Sequence, residues 1–310
     1  MSKKVLLATE KPFSPAARDQ VVAILKEAGH EVALLESYSD ASDLVAAVAD
    51  VHAVIIRSDL VTAEVLAAAK ELKLVVRAGS GYDNVDCAKA KEHGVLVMNT
   101  PGQNANAVAE LVLGMMVYQA RGRWNGKPGV ELRDKTLGIH AYGYVGKAVT
   151  TVAKGFGMKV FAYDPFVEAA AMEADGVTPV ASAEDLYRQC DYVSIHMPAT
   201  PKTVRSIGKA LLTLMPKGGT LINTARAEVI NDPEILEVMA ARPDFRYLTD
   251  IKPAAEVQAE LVEKYGDRYF STPKKMGAQT LEANVNAGLA AARQIVDFFE
   301  NGVEANVVNR

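Results

Sequence analysis

The chain has 310 residues, 34 Lys and Arg against 38 Asp and Glu, a net charge of −4, and 49% hydrophobic against 23% charged residues. This length favours about two domains, and the composition is that of a globular protein, excluding a disordered chain or a coiled coil. No basic run offers a phosphate stripe for nucleic acid. The apolar runs around Val75 and Val193 are shorter than the roughly 20 residues of a bilayer span.

Short β-branched runs alternate with amphipathic stretches along almost the whole chain. Strands are expected at 4–8, 31–35, 53–57, 73–77 and 95–98, with helices at 18–28, 63–69 and 87–93 among them. A longer helix at 104–121 leads into a second series. Its strands are expected at 136–140, 159–163, 192–196, 220–223, 247–249 and 269–271. Its helices are expected at 146–156, 183–189, 210–215 and 233–240, with a further amphipathic pattern in AEVQAELVEK. A last helix at 281–300 stops before Gly302 and could return to the first domain. Nearly continuous apolar strands suit parallel sheets covered on both faces, so the expected class is α/β with two doubly wound parallel-sheet domains. Cys87 and Cys190 are far apart, which excludes a disulfide framework and a zinc cluster. No metal site is expected. The segment MSKKVLLATEKPF carries only a strand-length apolar run and no cleavage site, so a cytoplasmic location is expected.

The strand TLGIH runs into Ala141-Tyr142-Gly143-Tyr144-Val145-Gly146 and then a helical pattern. This is a dinucleotide fingerprint with Ala in the first glycine position. Gly143 lets the backbone approach a pyrophosphate, Gly146 allows close helix–strand packing, and the helix N-terminus faces the phosphates. The next strand ends in Asp164, eighteen positions past Gly146, where a carboxylate binds the adenosine ribose hydroxyls and repels a 2′-phosphate. NAD is therefore expected as cofactor rather than NADP. Arg226 follows the apolar run TLINT, at a strand's C-terminal end, where open α/β sheets bind ligands; its guanidinium suits a carboxylate or a C2 oxygen. Gly79-Ser80-Gly81 follows another strand and could aim backbone N–H groups at an anion. Arg57 and Ser58 end the strand AVIIR and could hold a phosphate.

Several segments together resemble the D-isomer-specific 2-hydroxyacid dehydrogenases. They are VVRAGSGYDNVD at 75–86, VMNTPGQNANAVAELVLGMM at 97–116, LGIHAYGYVG at 137–146, SIHMPATPKT at 194–203, INTARAEVIND at 222–232, YLTDI at 247–251 and GAQTLEANVNAG at 277–288. The first two look most like the short D-3-phosphoglycerate dehydrogenases without a regulatory domain. The resemblance implies a flavodoxin-like substrate domain from residues 1–100 plus 283–310 and an inserted Rossmann NAD-binding domain at 101–282. It implies cofactor contacts at Tyr144, Val145, Thr224, Ala225, Arg226, Asp250, Gly277 and Ala278, besides Gly143, Gly146 and Asp164. The 79–81 loop would take the substrate carboxylate, and Arg226 would bind substrate. The expected reaction is NAD-dependent oxidation of 3-phosphoglycerate to 3-phosphohydroxypyruvate, the opening step of phosphorylated serine synthesis, in a homodimer. Two alternatives stay open: a glyoxylate or hydroxypyruvate reductase, and a non-catalytic NAD-binding interaction protein.

The family pattern also implies a catalytic His, paired with a Glu, and here the chain departs from it. TPKKMGAQT at 272–280 places Lys275 at the His position, with Lys274 the choice of a one-residue shift. The Glu position falls at Ala255, one residue before Glu256, which reads as a solvated helix charge. His30, His52, His93, His140 and His196 all lie elsewhere; His140 and His196 end strands and read as packing or backbone-capping groups. A lysine can still supply the chemistry. Near an apolar nicotinamide pocket and the cation Arg226 its pKa would fall toward neutrality, and a nearby carboxylate would oppose that shift.

Overall fold

The computed structural model describes residues 2–310 and divides into two compact units. One comprises the chain up to Asn104 together with Thr280–Arg310; the other is Ala105–Gln279. Both breaks sit at helix starts. No helix among the described residues is long and apolar enough to cross a membrane.

The first unit holds β1 (Lys4–Thr9), β2 (Glu31–Glu36), β3 (Ala53–Ile56), β4 (Leu74–Arg77) and β5 (Leu96–Asn99), all parallel, in the order β2-β1-β3-β4-β5. That is the flavodoxin-like order. Alternate residues of the strands feed two separate cores. Leu6, Ala8, Val54, Ile56, Val75 and Val97 enter one, and Val5, Leu7, Ile55, Leu74, Val76 and Met98 enter the other. This explains why the strands read as unbroken apolar runs. Between them lie α1 (Pro15–Glu27), α2 (Ala41–Ala47), α3 (Ala63–Ala68) and α4 (Cys87–Glu92). Ser14, Asp40, Thr62 and Asp86 cap them, each accepting a backbone N–H of the first turn. Such caps contribute about 1 kcal/mol each. The short α2 lies outside the expected elements; seven residues give too little periodicity to read.

The second unit begins with α5 (Ala105–Ala120) and continues through β6 (Thr136–His140), α6 (Tyr144–Gly155), β7 (Lys159–Tyr163), α7 (Ala169–Ala174) and β8 (Thr178–Pro179). Then come α8 (Ala183–Gln189), β9 (Tyr192–Ile195), α9 (Lys209–Leu212), β10 (Thr220–Asn223), α10 (Asp232–Ala241), β11 (Arg246–Thr249), α11 (Ala255–Tyr265) and β12 (Tyr269–Ser271). The parallel sheet runs β12-β11-β10-β9-β6-β7-β8. Its direction of growth reverses between β6 and β9, the switch point where doubly wound sheets bind dinucleotides. α5 packs on α6. Two features escape the sequence reading, the six-residue α7 and the two-residue β8, which ends in Pro179.

The chain then re-enters the first unit as α12 (Leu281–Asn301), capped by Thr280 and ended by Gly302 at φ 66°, and packs on α1. A tail follows and covers the outer edge of β5. Val307 pairs antiparallel with Met98, and the Val308 N–H donates to the Val97 carbonyl. The buried Asn309 amide completes the edge: its Oδ1 accepts the Val97 N–H at 2.9 Å and its Nδ2 donates to the Val95 carbonyl at 2.9 Å. Asn309→Ala leaves a buried donor and a buried acceptor unpaired. It should lower unfolding stability by about 1–3 kcal/mol, read by urea denaturation.

Candidate active site

In the second unit the fingerprint turn lies at the switch point. Ala141, in the first glycine position, has φ 79°, a left-handed conformation that costs an alanine about 1 kcal/mol. Its N–H donates to the Tyr163 carbonyl at 2.9 Å. Gly143 is the N-cap of α6, in extended conformation, so the helix begins at Tyr144, two residues earlier than the pattern suggests. A Cβ on Gly143 would meet nothing within 4 Å; the backbone is open on the side where a pyrophosphate approaches. A Cβ on Gly146 would lie 2.6 Å from the Ala141 carbonyl and 2.9 Å from Ile139 Cγ2, which is why that position is glycine. The half-buried Val145 and exposed Tyr144 supply first-turn N–H groups at the positive end of the α6 dipole.

Asp164 directly follows β7. Its Oδ2 accepts the Tyr142 N–H and its Oδ1 the Phe166 N–H, both at 2.8 Å. The carboxylate is thus locked beside the turn, with a remaining lone pair on each oxygen for ribose hydroxyls. Beyond β10, the fully buried Asn223 organises the next loop. Its Oδ1 accepts the Ala225 N–H and its Nδ2 donates to the Arg226 carbonyl, each at 2.9 Å. Arg226 is half-buried and extended, and its Nη1 donates to the Ala225 carbonyl at 2.9 Å. Thr224 Oγ1 is buried with no hydrogen-bond partner among the described residues, a polar group suited to a ligand. These features fit a dinucleotide.

Asp250 is buried and binds the loop after β12. Its Oδ1 accepts the Thr272 hydroxyl and the Met276 N–H at 2.7 Å, and its Oδ2 accepts the Gly277 N–H at 2.8 Å. Lys274 and Lys275 are exposed on that loop within this unit, Gly277 is buried and Ala278 half-buried. Ala255 opens α11, and Glu256 is an exposed charge in its first turn. Burial pushes the His140 imidazole down to about 4 and that of His196 to about 3, so both rings stay neutral at pH 7. His140 sits 3.3 Å from the Tyr187 hydroxyl and packs edge-on against Tyr163.

In the first unit, Arg57 and Arg77 lie at neighbouring strand ends. Arg57 donates to the Lys11 and Pro12 carbonyls and to Asn284 Oδ1, and lies over the Phe13 ring. It is more deeply engaged in the fold than its strand-end position suggests, and burial lowers its pKa. Ser58 is exposed. Arg77, absent from the sequence reading, donates from Nε to the Arg57 carbonyl at 3.0 Å. Its guanidinium lies against the 79–81 loop: a Cβ on Gly79 would fall 1.5 Å from Arg77 Nη1. The buried Asp59 ties this end together, accepting from the Arg57 N–H, the Glu10 N–H and the Tyr38 hydroxyl.

Comparison with known proteins agrees with this architecture. Residues 106–264 match the model of the D-isomer specific 2-hydroxyacid dehydrogenase, NAD binding domain. A D-3-phosphoglycerate dehydrogenase of Methanocaldococcus jannaschii is 33% identical over 94% of this chain, which spans only 57% of that relative's length. A hydroxypyruvate reductase of Thermotoga maritima is 33% identical over 88% of this chain and 92% of its own. The NAD⁺-bound 3-phosphoglycerate dehydrogenase of Entamoeba histolytica is 42% identical, superposes with a TM-score of 0.88, and is covered over 99% of its chain by all of this one. Gly146→Ala should cost about 1–3 kcal/mol through overpacking against the Ala141 carbonyl, and should weaken NADH binding in fluorescence titration.

Proposed function

Since this chain belongs to the D-isomer-specific 2-hydroxyacid dehydrogenases, an NAD-binding family, we propose that it interconverts 3-phosphoglycerate and 3-phosphohydroxypyruvate, the opening step of phosphorylated serine synthesis. The observation that carries this reading is the Arg77 guanidinium held against the 79–81 loop. An anion-binding loop with a cation beside it suits a substrate bearing both carboxylate and phosphate. The names of the Methanocaldococcus and Entamoeba relatives support it. A second reading, reduction of unphosphorylated hydroxypyruvate or glyoxylate, draws on Arg57, three of whose five N–H donors are engaged by Lys11, Pro12 and Asn284. The name of the Thermotoga relative favours that reading.

A bound nicotinamide would supply hydride-transfer chemistry at C2 of the hydroxy or keto acid. Gly143, Gly146 and the α6 N-terminus would hold the pyrophosphate, Asp164 the ribose, and Thr224, Ala225, Asp250, Gly277 and Ala278 would serve the rest of the cofactor. The N–H groups of Ser80 and Gly81 bind the substrate carboxylate, with Arg57, Ser58 and Arg77 serving the phosphate. Arg226 would offer its guanidinium to the C2 oxygen, steadied by its own bond to the Ala225 carbonyl. Lys275 takes the hydroxyl proton as a neutral amine during oxidation and returns it as an ammonium during reduction. His140 and His196, neutral and buried, are poor donors for that proton.

The protein acts as a homodimer in this reading. Leu111, Met115, Tyr118, Trp124 and Phe270 form an apolar face on the second unit, with Trp124 68% exposed, and a second copy would cover it. Cys87 and Cys190 are free thiols, in keeping with a reducing cytoplasm.

NADH oxidation measured with phosphohydroxypyruvate, hydroxypyruvate and glyoxylate side by side tests the substrate. Preference for phosphohydroxypyruvate is expected, and turnover of none would overturn the enzymatic reading. Lys275→Ala should cut turnover by about 10²–10⁴-fold and leave NADH affinity intact, whereas Lys274→Ala should be mild. If Lys274 proves the essential residue, the register of the loop's chemistry is off by one. Asp164→Ala should weaken NAD binding by about 1–3 kcal/mol and narrow the preference over NADP. Equal use of both cofactors by the unaltered protein would contradict that role.

A further inference from the structure

The first unit shows how the 79–81 loop is turned. Gly79, at φ 149°, donates its N–H back to the Arg77 carbonyl at 2.9 Å. The two peptide carbonyls that follow are tied toward β5. The Gly79 oxygen accepts the Thr100 N–H at 2.9 Å, and the Ser80 oxygen accepts Asn99 Nδ2 at 2.7 Å. In a trans peptide the carbonyl and the next residue's N–H point in opposite directions. Fixing the Gly79 and Ser80 oxygens therefore aims the N–H groups of Ser80 and Gly81 away from β5. Neither N–H has an acceptor among the described residues. Two adjacent outward N–H groups make a concavity for one anion. The Ser80 hydroxyl is occupied elsewhere, donating to Asn104 Oδ1 at 3.1 Å.

We infer that Asn99 is a positioning residue for the carboxylate of the substrate, acting through the Ser80 carbonyl on the Gly81 N–H. This rests on the reading that the 79–81 loop binds that carboxylate. Asn99 ends β5, faces Arg77 in the strand register and is 8% exposed. Its own backbone is held from two further directions. Its N–H donates to the Asn306 carbonyl of the tail at 3.3 Å, and its carbonyl accepts Gln294 Nε2 from α12 at 3.0 Å. The tail and α12 thus fix the strand end from which the amide reaches the loop. The anion concerned is a small 2-hydroxy or 2-keto carboxylate, and Asn99 itself never touches it.

Asn99→Asp tests this, because it keeps the backbone bonds to Asn306 and Gln294 but sets an acceptor against the Ser80 carbonyl. KM for the keto acid and the inhibition constant of oxalate should both rise roughly 10–100-fold, while the NADH dissociation constant holds and kcat changes little. A merely structural role would lower the melting temperature with KM and oxalate inhibition unmoved, and that result overturns the inference. Should Asn99→Asp fail to fold, Gln294→Ala loosens the same strand end and should raise KM more modestly; no rise there overturns it equally. Gly79→Ala separates the two levels of the argument, since its Cβ would strike Arg77 and spoil the loop directly. If folded Gly79→Ala leaves KM and oxalate inhibition unchanged, the loop does not bind the carboxylate and both readings fall. If Gly79→Ala raises KM and Asn99→Asp does not, only the role of Asn99 falls.

Discussion

Three hydrogen bonds into the Asp250 carboxylate, from Thr272, Met276 and Gly277, fix the course of the loop that carries Lys275. A parallel strand has no ladder partner beyond its last residue, so the loop leaving it must find its hydrogen bonds elsewhere. A buried carboxylate in turn needs donors, because an unpaired charge in a low-dielectric setting is costly. Each requirement satisfies the other. Gly277 is small because a Cβ there would approach Asp250 Oδ2 to 3.1 Å and Val108 Cγ2 to 3.3 Å. A loop so tied can present a flexible lysine without itself being flexible.

The same exchange recurs at other strand ends. Asp164 after β7 accepts from Tyr142 and Phe166, Asn223 at the end of β10 clasps Ala225 and Arg226, and Asn99 at the end of β5 holds Ser80. Asp59 does this for Arg57 and Glu10 beyond β3. In every case a short acceptor or amide from one loop fixes backbone in its own loop or the next. Asp164 keeps a lone pair on each carboxylate oxygen, and Asn223 fixes the backbone of Arg226. Local strain accompanies this order, as in the left-handed Ala141.

Much of this was legible from residue order. Strands read correctly because sheets covered on both faces require apolar residues throughout, and Gly143, Gly146, Asp164 and Arg226 stood out by their distance from a strand end. Gly302 marked the stop of α12. The elements that escaped, α2, α7 and β8, are too short to show a period. The clamping roles of Asp250 and Asn99 and the placement of Arg77 left no mark at all. Their partners lie up to 27 positions away, as with Asp250 and Gly277, and nothing in a lone Asp or Asn reveals which backbone it will meet. Arg57 is a similar case: its strand-end position marks it as a phosphate candidate but says nothing of the Lys11, Pro12 and Asn284 acceptors that its guanidinium also meets.

The proposed use of an amine, Lys275, as proton carrier is easier to understand in this light. A catalytic histidine must have its ring plane and tautomer fixed, which is the service a partner carboxylate performs. A lysine presents a point-like charge with three equivalent donors on a rotatable stem, so it needs a defined starting point more than a defined orientation. The Asp250 clamp fixes the backbone of Met276 and Gly277 beside Lys275, and Ala255, which opens α11, carries no carboxylate. Buried histidines do exist in this unit, but desolvation holds His140 and His196 neutral, so neither can take over as an acid at neutral pH. In the proposed reaction the proton is then left to Lys275, which is exposed within its own unit and takes part as a neutral amine in oxidation and as an ammonium in reduction.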